Sequence, residues 1–430
     1  MAPVSKKAYN ECLARLFSLH RFGIKLGLGT IRTILDALDN PHHRFQCIHI
    51  AGTNGKGSVA AMLSTILQEA GYTVGLYTSP HLVRFNERIR INGTPITDAD
   101  ILDAYMVIDK VHLPDRTPTF FEFTTAMAFH AFHRHNVQWA VIETGMGGRL
   151  DATNIIHTQL SVITNISLEH REYLGNRLSA IAAEKAGIIK PGVPVVTGVT
   201  QQVVRRVLQS AADAVGAPIF RLGRDFKTRK TRRGGSFHYY GRDTTWRDVP
   251  LVLAGAHQQG NAALALAGLE CLMDAGAIRR DETAVYRGMA HTRWPGRLEI
   301  VSHNPTILLD GAHNLAAVNA LAAYIDAAFQ NRSITLVVGI LDDKPYRQML
   351  SILAPRCDHV IVTRPVINRA LPPETLTPIA AAFCPRVTVV PNVGDAVALA
   401  QSTADSGDAI CIAGSLYVVG EAKEALDFSR

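Results

Sequence analysis

Ile50-Ala51-Gly52-Thr53-Asn54-Gly55-Lys56-Gly57-Ser58 stands between an apolar run, Gln46–Ala51, and a helical pattern, Val59–Ala70. A strand before and a helix after give a glycine-rich turn its meaning. Glycines let the backbone approach phosphate oxygens closely, and successive amides at a helix N-terminus supply partial positive charge. Lys56 adds a full charge suited to β- and γ-phosphates, and the Ser58 hydroxyl suits Mg²⁺. The stretch departs from G-x-x-x-x-G-K-[ST]: position 50 is Ile, and Gly57 separates the lysine from the hydroxyl residue. With strand, lysine, hydroxyl and helix in register, a nucleotide site is expected here rather than a merely structural turn. Its ATP-binding candidates are Gly52, Thr53, Asn54, Gly55, Lys56, Gly57 and Ser58.

Outward from this loop, short apolar runs alternate with helical patterns, which predicts an α/β fold with a mainly parallel sheet. Strands are expected at Gln46–Ala51, Thr73–Tyr77, Trp139–Glu143, Leu160–Asn165 and Val193–Val199. In the first helix Val59, Met62, Leu63, Ile66 and Leu67 fall on one stripe, and Gly71 stops it. A second series follows Trp294-Pro295-Gly296-Arg297, with strands expected at Thr306–Leu309, Ile334–Ile340, His359–Thr363, Val387–Val390 and Ala409–Ala413. The Pro-Gly pair predicts a hinge between two cores. The expected architecture is a large P-loop-type N-terminal domain, residues 1–295, and a smaller Rossmann-like α/β C-terminal domain, residues 296–430.

Composition bounds the class. The chain has 430 residues, 47% apolar and 19% charged, which is ordinary globular usage. No uncharged apolar run reaches the ~18 residues of a membrane span. Met1–Lys7 has no apolar stretch behind its charges, so a secretory signal is not expected. The six cysteines are scattered without a C-x-x-C, which argues against a zinc ribbon or disulfide framework and for a reducing cytoplasm. A net charge of +7 favours anionic partners without choosing among nucleotides, polycarboxylates and nucleic acid. Residues 221–247, rich in Arg and Lys around Gly234-Gly235, read as a solvated β-hairpin or loop, with no nucleic-acid motif beside them.

Several residues carry two readings. Glu143 ends a buried-looking strand, where ligands bind in open α/β sheets; otherwise it is a core acid paired with Arg149. His170 is a structural histidine or a metal ligand. Lys185 reads as a helix-surface lysine paired with a nearby Glu. Gly145-Met146-Gly147-Gly148 follows a strand, but no clear helix opens at Gly148, so a dinucleotide site is disfavoured. Phe120-Phe121 begin a helix, Phe123–Phe132, as core, or face a flat heterocycle with Glu122. Asn261 reads as an N-cap before Ala262–Leu272.

Gly52-Thr53-Asn54-Gly55-Lys56-Gly57-Ser58 resembles the ATP loop of folylpolyglutamate synthases and dihydrofolate synthases, in the Mur-ligase superfamily. The resemblance runs over nearly the whole chain. It includes Leu26-Gly27-Leu28, Thr78-Ser79-Pro80-His81-Leu82, Phe85-Asn86-Glu87-Arg88-Ile89, Glu143 to Asn154, Glu169-His170, Glu184-Lys185-Ala186-Gly187, Asn261-Ala262-Ala263, Trp294-Pro295-Gly296-Arg297 and Asp310-Gly311-Ala312-His313-Asn314. It implies an ATP-dependent ligase adding L-glutamate to folate, with dihydropteroate as a second candidate acceptor, through an acyl phosphate. It implies ATP and two Mg²⁺, with Ser58, Ser79, Glu143, His170 and a CO₂-carbamylated Lys185 as ligands. Lys56, Lys185 and His313 would be catalytic, and Asn261, Arg297 and Asp310 would complete the ATP site. Lys25, Leu26, Gly27, Leu28, Thr119, Phe120, Phe121, Glu122, Leu150, Asp151 and Ala152 would bind the folate. Family members carry Asp-His where this chain has Glu169-His170, which leaves the histidine in place. Domain closure would exclude water from the acyl phosphate. Partners would be small molecules, with no nucleic acid and no membrane, and the enzyme a monomer.

Two competing readings follow from the same loop. A muramyl-peptide-type ligase shares the chemistry, but Gly57, Leu26-Gly27-Leu28 and a two-core length argue against it. A nucleic-acid-dependent NTPase would use residues 221–247, but no Walker-B run stands at the usual place.

Overall fold

The computed structural model describes residues 5–19, 23, 27–113, 116–169, 171–232 and 234–428. Its first sheet contains β1 (Gln46–Ala51), β2 (Val74–Tyr77), β3 (Ile89–Ile91), β4 (Thr94–Pro95), β5 (Trp139–Glu143), β6 (Thr158–Ile163), β7 (Val195–Thr197) and β8 (Ile219–Arg221). Their order is β4-β3-β2-β5-β1-β6-β7-β8. From β2 to β8 the pairings are parallel, and β3 and β4 add an antiparallel edge. Every residue of β2 and β5 is buried. That is why these strands read as continuous apolar runs: helices cover both faces of a parallel sheet.

β1 is the switch point of this sheet. The chain leaves it for β2, returns through β5 on one flank, and crosses to β6 on the other. Loops following the carboxyl ends of strands diverge at such a point and leave a crevice for ligands. The helix after β1 runs Lys56–Glu69, earlier than the expected start at Val59, so Lys56, Gly57 and Ser58 form its first turn. β6 ends at Ile163, opposite Ala51, which releases Thr164 and Asn165 from the expected strand into the crevice loop.

The basic stretch folds into more than a hairpin. β9 (Lys227–Lys230), β10 (Ser236–Tyr240) and β11 (Thr245–Pro250) form an antiparallel sheet in the order β11-β10-β9. Phe237, Tyr239, Trp246 and Val249 are buried, while Lys227, Arg229, Lys230 and Arg232 are exposed. Tyr239 Oη donates to Glu270 at 2.8 Å, tying this sheet to the helix Ala256–Asp274.

The chain divides into two compact units. The first takes residues 1–81, 85–252 and 259–292; the second takes 82–84, 253–258 and 293–430. The second is built on β12 (Glu299–His303), β13 (Thr306–Leu309), β14 (Ile334–Val338), β15 (His359–Val362), β16 (Val387–Val389) and β17 (Ala409–Ala413). Their order is β12-β13-β17-β14-β15-β16, parallel except for the edge strand β12. Leu308, Leu336, Val338, Val360 and Cys411 pack one face against Val318, Leu321, Ile325 and Leu350 of the flanking helices. Asn314 caps the helix Leu315–Ala328 by accepting from Ala317 N at 3.0 Å. Among the described residues no helix is long and apolar enough to cross a membrane. All six cysteines are buried thiols.

Candidate active site

The loop after β1 is shaped by close approach. Gly55, the N-cap of the helix Lys56–Glu69, has φ +84°, and a Cβ there would collide with the Asn261 side-chain oxygen. A Cβ on Gly52 would collide with the Thr164 hydroxyl. Only glycine meets both demands at Gly55 without strain. The segment after β6 holds the loop from the other side. Thr53 N donates to Asn165 O at 2.9 Å, and Asn54 N to Asn165 Oδ1 at 2.9 Å. Thr164 Oγ1 donates to Asn54 O at 2.7 Å, and Ser167 N to Thr53 Oγ1 at 3.0 Å. Thr164, Asn165 and Ser167 were not singled out in the sequence. Their only signal there is the polar run that follows an apolar strand.

Three charged side chains converge on this loop. Lys56 Nζ donates to Gly52 O at 3.0 Å and Thr53 O at 3.2 Å, and lies 3.8 Å from Glu143 Oε1. Glu143 ends β5, next to β1, and is 6% exposed. Arg149, its alternative partner, instead pairs with Glu184 at 2.8 Å. Lys185 lies on the helix Leu178–Ala186 and is 1% exposed, so it is not a surface lysine. Its amine donates to Gly52 O and to Glu169 Oε1, each at 2.8 Å. Burial pushes the Lys185 pKa down; Glu169 opposes this, and Lys56 adds to it. One carbonyl, that of Gly52, thus accepts from two lysine amines, each of which also faces a carboxylate.

The metal ligands implied by the resemblance are partly assembled. Ser58 is buried in the first helical turn, and Ser79 is half-buried just past β2, the neighbour of β5. Ser58 and Ser79 therefore stand past the carboxyl ends of β1 and β2, and Glu143 at that of β5, three adjacent strands. Hydroxyl and carboxylate oxygens are hard donors, which fit Mg²⁺. Among the described residues no three His, Cys, Asp or Glu side chains converge as a metal cage. Mg²⁺ retains waters and phosphate oxygens and uses one or two protein carboxylates, so a sparse donor set fits it. His170, Lys25 and Leu26 lie outside the described residues.

Among the described folate candidates, Leu28, Phe120, Phe121 and Ala152 share one core of the first unit. Leu28 and Phe121 pack against the core that contains Phe120, Tyr77 and Ala152. Gly27 precedes Leu28, and Leu150 is half-buried beside Asp151. Phe120 stacks on Phe17 at 5.8 Å, and the Arg88 guanidinium sits 5.1 Å from its ring centre. A Cβ on Gly145 would strike the Phe121 ring. Thr119 and Glu122 form a capping box for the helix Phe120–Arg134, with Glu122 Oε2 accepting from Thr119 N at 2.8 Å. The Asp151 carboxylate accepts from Met146 N at 2.8 Å and Thr153 N at 3.1 Å, and burial raises its pKa.

In the second unit Arg297, just before β12, lies near Asp310 and Gly311 just past β13, and His313 follows in the same turn. Asp310 accepts from Leu298 N at 2.9 Å and Ala312 N at 3.0 Å. Burial pushes its pKa up to about 6, against the opposing pull of Arg297 and these amides. His313 Nδ1 lies 2.8 Å from Gly311 O, so Nδ1 carries the proton and donates. Arg297 Nη1 donates to Gly296 O at 3.0 Å.

Known families match this arrangement along the chain. The Mur ligase middle domain matches residues 50–269, and the Mur ligase glutamate ligase domain matches residues 296–416. A dihydrofolate synthase/folylpolyglutamate synthase of Bacillus subtilis is 36% identical over 429 residues, covering 97% of this chain and 99% of the relative. The structure of Escherichia coli FolC in complex with DHPP and ADP matches with a TM-score of 0.89 at 30% identity, covering 100% of both chains. A bifunctional folylpolyglutamate synthase/dihydrofolate synthase of Yersinia pestis, complexed with AMPPNP and Mn ion, matches with a TM-score of 0.88 at 30% identity, covering 99% of this chain and 100% of that one. With both domains in order and likeness of sequence and fold over its length, this chain belongs to the folylpolyglutamate synthase/dihydrofolate synthase family of Mur ligases.

Proposed function

We propose that the protein is an ATP-dependent ligase that joins L-glutamate to the γ-carboxylate of a folate, and that it also accepts dihydropteroate. The carrying observation is the glycine-lined loop at the switch point, with Lys56, Lys185 and Glu143 gathered on it. A carboxylate oxygen attacks the γ-phosphorus, and the bond from that phosphorus to ADP breaks. The glutamate amine then attacks the acyl carbon and loses a proton, and phosphate leaves with the former carboxylate oxygen. Charge repulsion between carboxylate and triphosphate dominates the first step, so fixed positive charge is the main requirement.

Each residue has a part in that scheme. Loop amides and Lys56 bind and orient the triphosphate. Lys56 releases Glu143 as it turns to phosphate oxygens. Ser58, Ser79, Glu143, His170 and Lys185 as a carbamate are proposed to hold two Mg²⁺, which supply charge neutralisation at the phosphates. Burial of the Lys185 amine favours its neutral, CO₂-reactive form. Asn261, against Gly55, is proposed as the adenine contact. Arg297 and Asp310 are proposed as ATP contacts of the second unit, and His313 as the residue orienting the amine. Lys25, Leu26, Gly27, Leu28, Thr119, Phe120, Phe121, Glu122, Leu150, Asp151 and Ala152 are proposed for the folate. The enzyme is proposed to act as a cytoplasmic monomer on small molecules.

The test is ADP release with ATP, L-glutamate and either tetrahydrofolate or dihydropteroate. Release that depends on both glutamate and the acceptor is expected. Release indifferent to both acceptors contradicts the substrate assignment.

A further inference from the structure

The turn after Glu143 is held by a buried network that begins on the strand of the phosphate loop. His49, three residues before Gly52 on β1, is 0% exposed, and its Nε2 lies 2.8 Å from Thr153 Oγ1. Thr153 Oγ1 donates to Asp151 Oδ1 at 2.5 Å. Asp151 accepts from Met146 N through Oδ2, and its own N donates to Gly148 O at 3.1 Å. His49 also pairs in register with Ile142, the residue before Glu143.

Both Asp151 oxygens accept backbone N–H groups, which favours the carboxylate against its burial, and with Asp151 ionised the protons along this chain follow by counting. A hydroxyl has one proton, and Thr153 gives it to the carboxylate. His49 Nε2 must therefore carry a proton and donate to Thr153. His49 Nδ1 is then a bare acceptor, and it has no partner among the described residues. Asp151 caps the short helix Ala152–Ile155 through Thr153 N, and His49, 104 positions before Thr153 in sequence, joins that cap to β1. The network joins three parts with separate proposed duties: the strand of the triphosphate loop, the turn that follows Glu143, and Leu150–Ala152 on the folate side.

We infer that His49 and Thr153 are positioning residues that set the Asp151 turn for folate binding and carboxylate activation. The inference rests on the ligase reading for its kinetic test only, because the tautomer can be measured without substrate. In ¹⁵N NMR of the full chain, the His49 ring should show a protonated Nε2 and a bare Nδ1. A ring protonated at Nδ1 overturns the network. Thr153→Val removes the hydroxyl at nearly constant volume. It should raise KM for the folate acceptor by about tenfold, the scale of one lost hydrogen bond to a charged group, while KM for ATP stays within about twofold. Thr153→Ser, which keeps the hydroxyl, should restore the wild-type KM. Loss of thermal stability alone, with both KM values unchanged below the melting range, would make the network structural and overturn the inference. Equal rises in both KM values would overturn it as well. A wild-type chain with no folate ligase activity would instead overturn the ligase reading and leave the NMR test standing.

Discussion

Lys56 and Glu143 face each other at 3.8 Å across the end of the β1–β5 pair, both largely buried. The pair sets the lysine proposed for phosphate against the acid proposed for Mg²⁺. Glu143→Gln removes the acid and keeps its shape. kcat should fall about 100-fold, a scale set by losing one charged transition-state contact, and the divalent metal needed for half activity should rise. Metal titration of the steady-state rate checks this; an unchanged midpoint would remove Glu143 from the metal site.

Gly55 and Asn261 test the loop itself. Gly55→Ala places a Cβ in left-handed backbone and against the Asn261 side chain. The backbone part alone costs ~1–2 kcal/mol. Adding Asn261→Ala should recover the steric part but not the backbone part. Urea unfolding of the double variant should therefore fall between wild type and Gly55→Ala. Nucleotide binding, followed by calorimetry, should be weakened in both variants.

The strand pattern and the loop were legible because both depend on local order: β1, β2, β5 and the strands after β12 are short apolar runs. The burial of Lys185 was not. Ala182-Ala183-Glu184-Lys185-Ala186 gives a lysine on a helix, and only the folded contact with the Gly52 carbonyl and Glu169 makes it interior. The end of β6 was missed because pairing with β1, not β propensity, stops the strand at Ile163. Thr119-Phe120-Phe121-Glu122 carried a readable capping-box signature that the aromatic pair overshadowed. The basic stretch concealed β9, since a strand of Lys and Arg has none of the apolar alternation that marks strands.

Lys185→Ala should lose about 99% of activity, the scale of losing one charged contact of the proposed metal site. Short carboxylic acids should restore part of it by supplying the missing carboxylate. Full activity in Lys185→Ala would end the carbamate proposal.

His42 makes the fold sensitive to acid. It is buried against Phe129, and burial, with repulsion from His43 and His157, pushes its pKa down to about 4. In the unfolded chain the group titrates near 6.5. The folded state therefore resists protonation. The contribution is complete above pH 6.5 and is lost as pH falls from 6.5 to 4, by ~3 kcal/mol. His42→Phe should flatten the urea unfolding free energy over that window; an unchanged slope would contradict this assignment.

The most direct test follows an oxygen atom. The folate acceptor is labelled with ¹⁸O in its reactive carboxylate and turned over with ATP and L-glutamate. If that carboxylate attacks the γ-phosphorus held by the Gly52–Ser58 loop, each phosphate released carries one ¹⁸O. Unlabelled phosphate, or label appearing in AMP, would contradict the account.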